Sequence, residues 1–232
     1  MMSELLINSI YFGLVLSIGM YVLAVFINKK WDVSVTTPLL LTTVGVIGFL
    51  LLFNIPYSAY AHGAQYLNYF LVPATVCFAV PMYKQVKELG RYKNAILTSI
   101  IIGCAASVAT VALAAWVFGL GDVIRNSLAP VAVTTAIAIG ISKELGGIAG
   151  ITVFAVILTG IMGNAIGRGA VEFLRLHSPI ARGLATGNSS HAMGTAKALE
   201  MGPTEGAASS LAIVISGIAT AVLAPLILWL FA

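Results

Sequence analysis

The residues best suited to chemistry lie between Gly187 and Thr195, where the chain reads Gly-Asn-Ser-Ser-His-Ala-Met-Gly-Thr. Asn188, Ser189, Ser190 and Thr195 bring amide and hydroxyl groups, and His191 brings an imidazole. Gly187 and Gly194 let backbone approach a ligand closely. Ser, Asn and Thr favour helix N-caps, and a helix start offers free N–H groups at the positive end of its dipole. A half-helix beginning near Ser189–His191 would therefore attract a carboxylate. A second candidate is the stretch 126–142, in which Thr134 and Thr135, following Pro130, could build the same arrangement from the other side. Packing is the plainer account of both, because Gly, Ser and Thr also mediate helix–helix contacts in membranes. Five polar groups within 188–195 exceed what packing needs, so that segment is expected to hold a ligand. For Thr134 and Thr135 both accounts stay open.

His191 could carry a proton beside an anion or simply donate a hydrogen bond. No carboxylate shares its apolar run, which favours the donor role. Arg168, Arg175 and Arg182 have a bland reading as positive-inside anchors; the sharper one makes Arg182 part of a funnel that gathers anions at the mouth of the site.

Catalysis finds little support. His62, His177 and His191 are far apart, and HExxH, GxSxG, CxxC and the phosphate-binding glycine loop are all missing. No catalytic residue, metal or cofactor is expected. Glu4, Asp32, Glu88, Asp122, Glu144, Glu172, Glu200 and Glu205 all border apolar spans. Cys77 and Cys104 read as buried small hydrophobes. Without an ATP site, transport would be passive or ion-coupled, and the ion is left open.

The elements that must position these residues follow from composition. Of 232 residues, 59% are hydrophobic and 9% charged, against roughly 25% charged in a soluble domain. With a mean hydropathy of +1.02, this excludes a cytosolic enzyme, a nucleic-acid reader and a disordered linker. The chain reads as a single integral membrane domain over 1–232, with no signal peptide to remove because the start Met-Met-Ser-Glu lacks a basic segment. Charge-free runs cover Leu5–Asn28, Val33–Tyr83, Asn94–Gly121, Asn126–Ser142, Leu145–Gly167, Gly183–Ala196 and Gly206–Ala232. About 20 apolar residues cross the hydrocarbon core, so most runs suit one crossing. Val33–Tyr83 suits two, broken within 54–63 where Pro56, Gly63, Tyr57 and Tyr60 fit the headgroup region.

Glycine is uneven: 9 of 23 fall before residue 140 and 14 after it begins, which makes 126–232 the site-bearing half. Two topologies compete. Eight crossings divide the twelve Lys and Arg 8 to 4; if 126–142 and 183–196 dip in and return from opposite faces, six crossings remain and only Arg125 and Lys143 face the other ten. The positive-inside rule prefers the second. The fold class is therefore an all-α polytopic membrane protein, secondary-transporter-like, with six to eight transmembrane helices and two discontinuous or re-entrant segments. A faint echo, Leu71-Val-Pro-Ala-Thr-Val against Leu128-Ala-Pro-Val-Ala-Val, suggests duplication without fixing topology.

The strings Pro73-Ala-Thr-Val-Cys-Phe-Ala-Val-Pro-Met-Tyr83, Pro130-Val-Ala-Val-Thr-Thr135, Ala181-Arg-Gly-Leu-Ala185, Ser190-His-Ala-Met-Gly-Thr-Ala196 and Glu205-Gly-Ala-Ala-Ser-Ser-Leu-Ala212 resemble the LrgB/CidB family of bacterial membrane proteins. The resemblance covers nearly the whole chain. It implies a multi-pass protein of the bacterial cytoplasmic membrane with one of two roles. One is holin/antiholin-like: control of murein hydrolase activity, autolysis and programmed cell death, with a small LrgA/CidA-type membrane partner. The other is transport of small monocarboxylates of the pyruvate or glycolate class, as in a plastid relative that carries glycolate and glycerate. Transport is the primary expectation, because short hydroxy- and keto-acids suit a hydroxyl-rich pocket at a helix end. A homo-oligomer in the lipid bilayer is expected, and no nucleic-acid partner.

Overall fold

Long charge-free runs fold as helices because a helix pairs every backbone N–H and C=O within the segment. A computed structural model describes residues 9, 11–31 and 37–231; among them every regular element is helical. Glu4, Asp32 and the openings of the first two apolar runs at Leu5 and Val33 lie outside the described residues. The chain divides into two compact units, Met1–Cys77 and Phe78–Ala232.

In the first unit, α1 (Phe12–Trp31) packs on α3 (Tyr57–Ala64), with Gly13 directly against the backbone of Tyr60 and Ala64. Ser17 of α1 meets the Tyr60 hydroxyl at 2.9 Å. Between them, α2 (Pro38–Leu52) starts at Thr37, whose hydroxyl accepts the Leu40 N–H, and carries Pro38 in its first turn, where no intrahelical donor is lost. The expected break after it is a turn through Asn54 (φ 51°), and Pro56 caps α3. Beyond α3 the run expected to make one crossing is instead a chain of short pieces: a 3₁₀ helix (Gln65–Phe70), α4 (Leu71–Cys77) and, opening the second unit, α5 (Ala79–Lys84). Pro73 and Pro81 each remove an N–H donor from this stretch, which favours short helices over one long one. Cys77 is exposed on α4, contrary to its sequence reading, while Cys104 is buried.

The second unit continues with α6 (Val86–Arg91), α7 (Lys93–Val117), α8 (Asp122–Leu128), α9 (Thr135–Glu144), α10 (Ala149–Phe173), α11 (Pro179–Met201) and α12 (Pro203–Trp229). Helices α1, α7, α10 and α12 are long and apolar enough to cross a membrane; α2, at 15 residues, is shorter. This is a multi-pass membrane protein. The core around α12 is built from small side chains: Ala207, Ala208 and Ala212 pack against Ile96, Ile100 and Cys104 of α7, while Ala224 packs with Val108 and Ala112 further along.

Twice this unit folds back on itself. Asn126 donates its amide N–H to the Leu145 carbonyl at 2.7 Å, although 19 residues separate them. The Ile148 N–H reaches the Ser127 hydroxyl at 2.7 Å. Helices α8 and α9 are thus two limbs of one hairpin, joined through the unwound residues 129–134. Its neck lies beside the end of α12, where Arg125 donates to the Phe231 carbonyl at 2.8 Å, and the start of α9 lies near Gly217 through Ile137.

The second reversal is hidden inside α11. Ser190 (φ −137°) and His191 (φ 44°) leave helical geometry, and Gly194 comes to lie on the Thr186 carbonyl and the Ser190 side chain. In a straight helix, residues eight apart would be separated by about 12 Å. Residues 179–189 therefore ascend and 192–201 return. Both limbs pack on the first turns of α12: Gly183 touches Glu205 and Ala208, Gly187 touches Ser209, and Leu199 covers Gly206. The two hairpins approach the middle of α12 from its opposite ends.

Candidate functional site

The tips converge on a cavity of about 930 Å³ inside the second unit. One long wall is α7, which contributes Ser99, Gly103, Ser107 and Thr110. Thr159 of α10, Asn188 and Ser189 of the ascending limb, and Val131 and Ala132 of the unwound tip complete the inner end. The outer end is bounded by Glu88, Tyr92, Ser178 and Thr204. About 30 Å³ per water gives room for a hydrated small solute rather than a tightly wrapped one.

The positions singled out in the sequence divide into two layers. Asn188 and Ser189 line the cavity. Ser190, His191, Gly194 and Thr195 do not; they are buried and build the turn that holds the first two in place. His191 donates Nε2–H to the Val156 carbonyl at 3.0 Å, and its own carbonyl accepts from the Thr195 hydroxyl at 3.1 Å. These bonds hold a non-glycine residue in the left-handed region, a strain worth about 1–3 kcal/mol. Thr195 also meets the Ser209 hydroxyl at 2.7 Å, tying the returning limb to α12. Met193, between them, offers its carbonyl to the Asn164 amide at 3.1 Å. Glycines make these approaches feasible: a Cβ at Gly160 would strike the His191 ring, and one at Gly163 the Ser190 side chain.

In the first hairpin, Pro130 is fully buried in the break, Thr134 occupies the N-cap of α9 without a side-chain capping bond, and Thr135 is its first residue; none of the three lines the cavity. The break instead presents Val131 and Ala132. Arg182 does not reach the cavity either. Its Nε donates to the Leu176 carbonyl at 2.6 Å, tying the ascending limb to the loop before it.

Reading the sequence missed the α7 wall. Ser99, Gly103, Ser107 and Thr110 recur at spacings of three and four on an otherwise apolar span, which places them on one helical face. It also missed that Glu205, expected at a span border, is buried in the first turn of α12 at 8% exposure.

Electrostatically the cavity is unusual for an anion site. Among the residues that line it, Glu88 is the only charged one, and no Lys, Arg or His takes part. The starts of α9 and of the returning limb of α11 lie at the two tips, but their first residues do not line the cavity. Its polar groups are hydroxyls, the Asn188 amide and Glu88.

Fold and site together define a multi-pass helical membrane protein whose two opposed hairpins flank a cavity lined by apolar side chains, hydroxyls and one amide. The chain belongs to the LrgB-like family, whose pattern it matches over residues 17–230. It is 40% identical over 217 residues to the protein named "Antiholin-like protein LrgB" of Bacillus mycoides (strain KBAB4), covering 93% of this chain and 94% of that one. The proteins of the same name from Bacillus cereus (strain B4264) and Bacillus anthracis (strain CDC 684 / NRRL 3495) match at the same identity and coverage. No solved structure matches. The names of these relatives speak for the antiholin-like role rather than for a carrier, reversing the order of the two expectations drawn from sequence.

Proposed function

We propose that this chain is an antiholin-like protein of the bacterial cytoplasmic membrane, and that the molecular act behind that role is passage of small monocarboxylates through the cavity of its second unit. The first half of the reading rests on the family and on the names of the relatives. The second rests on one observation: two helical hairpins enter from opposite ends of α12, and residues of both line one cavity whose apolar wall is studded with hydroxyls and the Asn188 amide. Discontinuous helices meeting near mid-depth are how secondary transporters expose backbone groups to a solute without exposing them to lipid. Short hydroxy- and keto-acids of the pyruvate and glycolate class fit a small cavity in which hydroxyls and the Asn188 amide stand among apolar side chains. Altered carboxylate flux would then reach lysis through membrane energetics, with a small LrgA/CidA-type protein as partner.

Charge supports an orientation. Twelve Lys and Arg include Lys29 and Lys30; of the ten in the second unit, only Arg125 and Lys143 belong to the hairpin whose neck meets the end of α12. The other eight border the opposite end, so the α11 hairpin enters from the cytoplasmic side.

Proteoliposomes containing the full chain separate the readings. A carrier takes up labelled pyruvate or glycolate saturably, with competition by unlabelled analogues. A holin-like pore leaks dyes graded by size, and a regulator without carrier activity does neither. Because Asn188 and Ser189 line the cavity while Ser190 and His191 stand behind it, the double variant Asn188→Ala/Ser189→Ala is the sharper probe. Loss of two polar contacts to an anion should cut uptake efficiency about tenfold or more at unchanged membrane abundance. Uptake equal to wild type would remove the site.

A further inference from the structure

An asparagine amide has a donor edge and an acceptor edge, and which one faces a cavity decides whether that wall attracts or repels a carboxylate. At Asn188 the choice is made by a neighbour that does not itself line the cavity. Cys104 of α7 is 1% exposed. Its thiol donates to Asn188 Oδ1 at 3.2 Å and lies 3.9 Å from the Ser216 carbonyl on α12. Oδ1 is thereby turned into the protein. Nδ2 lies over Gly103, itself a wall residue, in space that a Cβ would occupy. Its long contact to the Ile100 carbonyl, 3.5 Å, engages one amide hydrogen and leaves the other for a ligand.

We propose that Cys104 is a positioning residue of the carboxylate site: its thiol locks the Asn188 amide so that the N–H edge faces the cavity. The inference rests on the carboxylate reading above. Its weight comes from the lining, which holds no cationic side chain. Serine and threonine hydroxyls there can rotate to give or take a hydrogen bond, and so do not discriminate. A locked amide does. Without the thiol, Oδ1 loses its donor, and the amide gains by turning its acceptor edge toward the cavity, where hydroxyls or solvent can donate. Gly103 is the second half of the device, because any side chain at that position displaces Nδ2.

A thiol that merely fills space makes a different forecast from one that orients an amide. Uptake kinetics of labelled pyruvate in proteoliposomes are to be compared for wild type, Cys104→Ala, Cys104→Ser, Asn188→Ala and Cys104→Ala/Asn188→Ala. Cys104→Ala should raise KM about tenfold, equivalent to about 1.4 kcal/mol, with the maximal rate held within about twofold. Cys104→Ser keeps a donor and should restore KM to within about twofold of wild type, and the double variant should be no worse than Asn188→Ala alone. An unchanged KM in Cys104→Ala, a serine variant as poor as the alanine one, or additive losses in the double variant overturns the proposal. Absence of saturable uptake by the wild-type chain overturns the carrier reading instead. A thermal-unfolding cycle over the same variants in detergent then decides the thiol–amide coupling, and additivity in that cycle also overturns the proposal.

Discussion

Where residues 122–144 turn back, the chain unwinds through 129–134 around Pro130; where 179–201 turn back, the reversal takes only Ser190 and His191. The necks differ as much as the tips. The first hairpin is laced by side chains: Asn126 to the Leu145 carbonyl, Ile148 N–H to Ser127, and Thr152 to both the Ser142 hydroxyl at 2.7 Å and the Ser127 carbonyl at 2.9 Å. Ser127, Ser142 and Thr152 are fully buried. The second hairpin is seated by backbone proximity, with Gly183, Gly187 and Gly194 each admitting a neighbour that a methyl would exclude, while hydrogen bonds of His191 and Thr195 fix its tip. The first neck is fastened mainly by directional bonds, with Gly147 close against Ser127 beside them. The second is seated mainly by shape, and shape tolerates no added volume.

The largest effect should fall on the seated hairpin. Gly194→Val places branched carbons against the Thr186 carbonyl and Ser190 with no flexible side chain able to yield, and should cost about 3 kcal/mol or more. Gly140→Ala, in the fastened hairpin, meets open space at a helical position and should instead stabilise by about 0.5–1 kcal/mol. Thermal unfolding of the purified full chain, with folded yield from size-exclusion chromatography, checks both. If the two variants behave alike, the contrast between shape and bonding is wrong.

That contrast also explains what sequence could and could not reveal. Segment 183–196 stood out because Asn188, Ser189, Ser190 and His191 make it too polar for lipid, while its many small and apolar residues make it unlike an ordinary loop. Pro130 likewise marked the other break. The choice between crossing and returning rested on the Lys and Arg count alone. A straight helix and a hairpin with a two-residue turn have almost the same local composition; the dihedrals of Ser190 and His191 and the contacts of Gly194 and Gly187 tell them apart. The α7 wall was hidden for a related reason: Ser99, Gly103 and Ser107 at helical spacing are also what close helix packing looks like. For Thr134 and Thr135 the sequence left packing and ligand binding open, because hydroxyls after a proline suit both; the tip turns Val131 and Ala132 to the cavity.

An intermediate effect should fall on the fastened neck. Thr152→Val keeps volume and shape but deletes the hydroxyl that links Ser142 to the Ser127 carbonyl. The buried Ser127 carbonyl then loses its donor and the Ser142 hydroxyl loses its partner, which should cost about 1–3 kcal/mol. Thr152→Ser retains the hydroxyl and should recover most of that loss, leaving only a missing methyl. Equal destabilisation by both, measured as the shift in unfolding temperature, would show that packing rather than hydrogen bonding closes this hairpin.

The smallest effect is expected at Arg182, and its smallness is informative. The residue sits near the base of the seated hairpin, and its Nε bond to the Leu176 carbonyl is a polar tie between that hairpin and the preceding loop. The side chain is only half-buried, so water can replace the lost donor, and it stands apart from the cavity lining. Arg182→Gln should therefore lower stability by about 0.5 kcal/mol and change the KM for carboxylate uptake by less than about twofold at physiological salt. A funnel would give another pattern: a KM rise that grows as ionic strength falls, because steering of an anion by an exposed charge is screened by salt. Measuring uptake by wild type and Arg182→Gln at low and high salt separates the two. A salt-dependent gap restores Arg182 to the path of the solute, and parallel curves leave it as a tether of the loop.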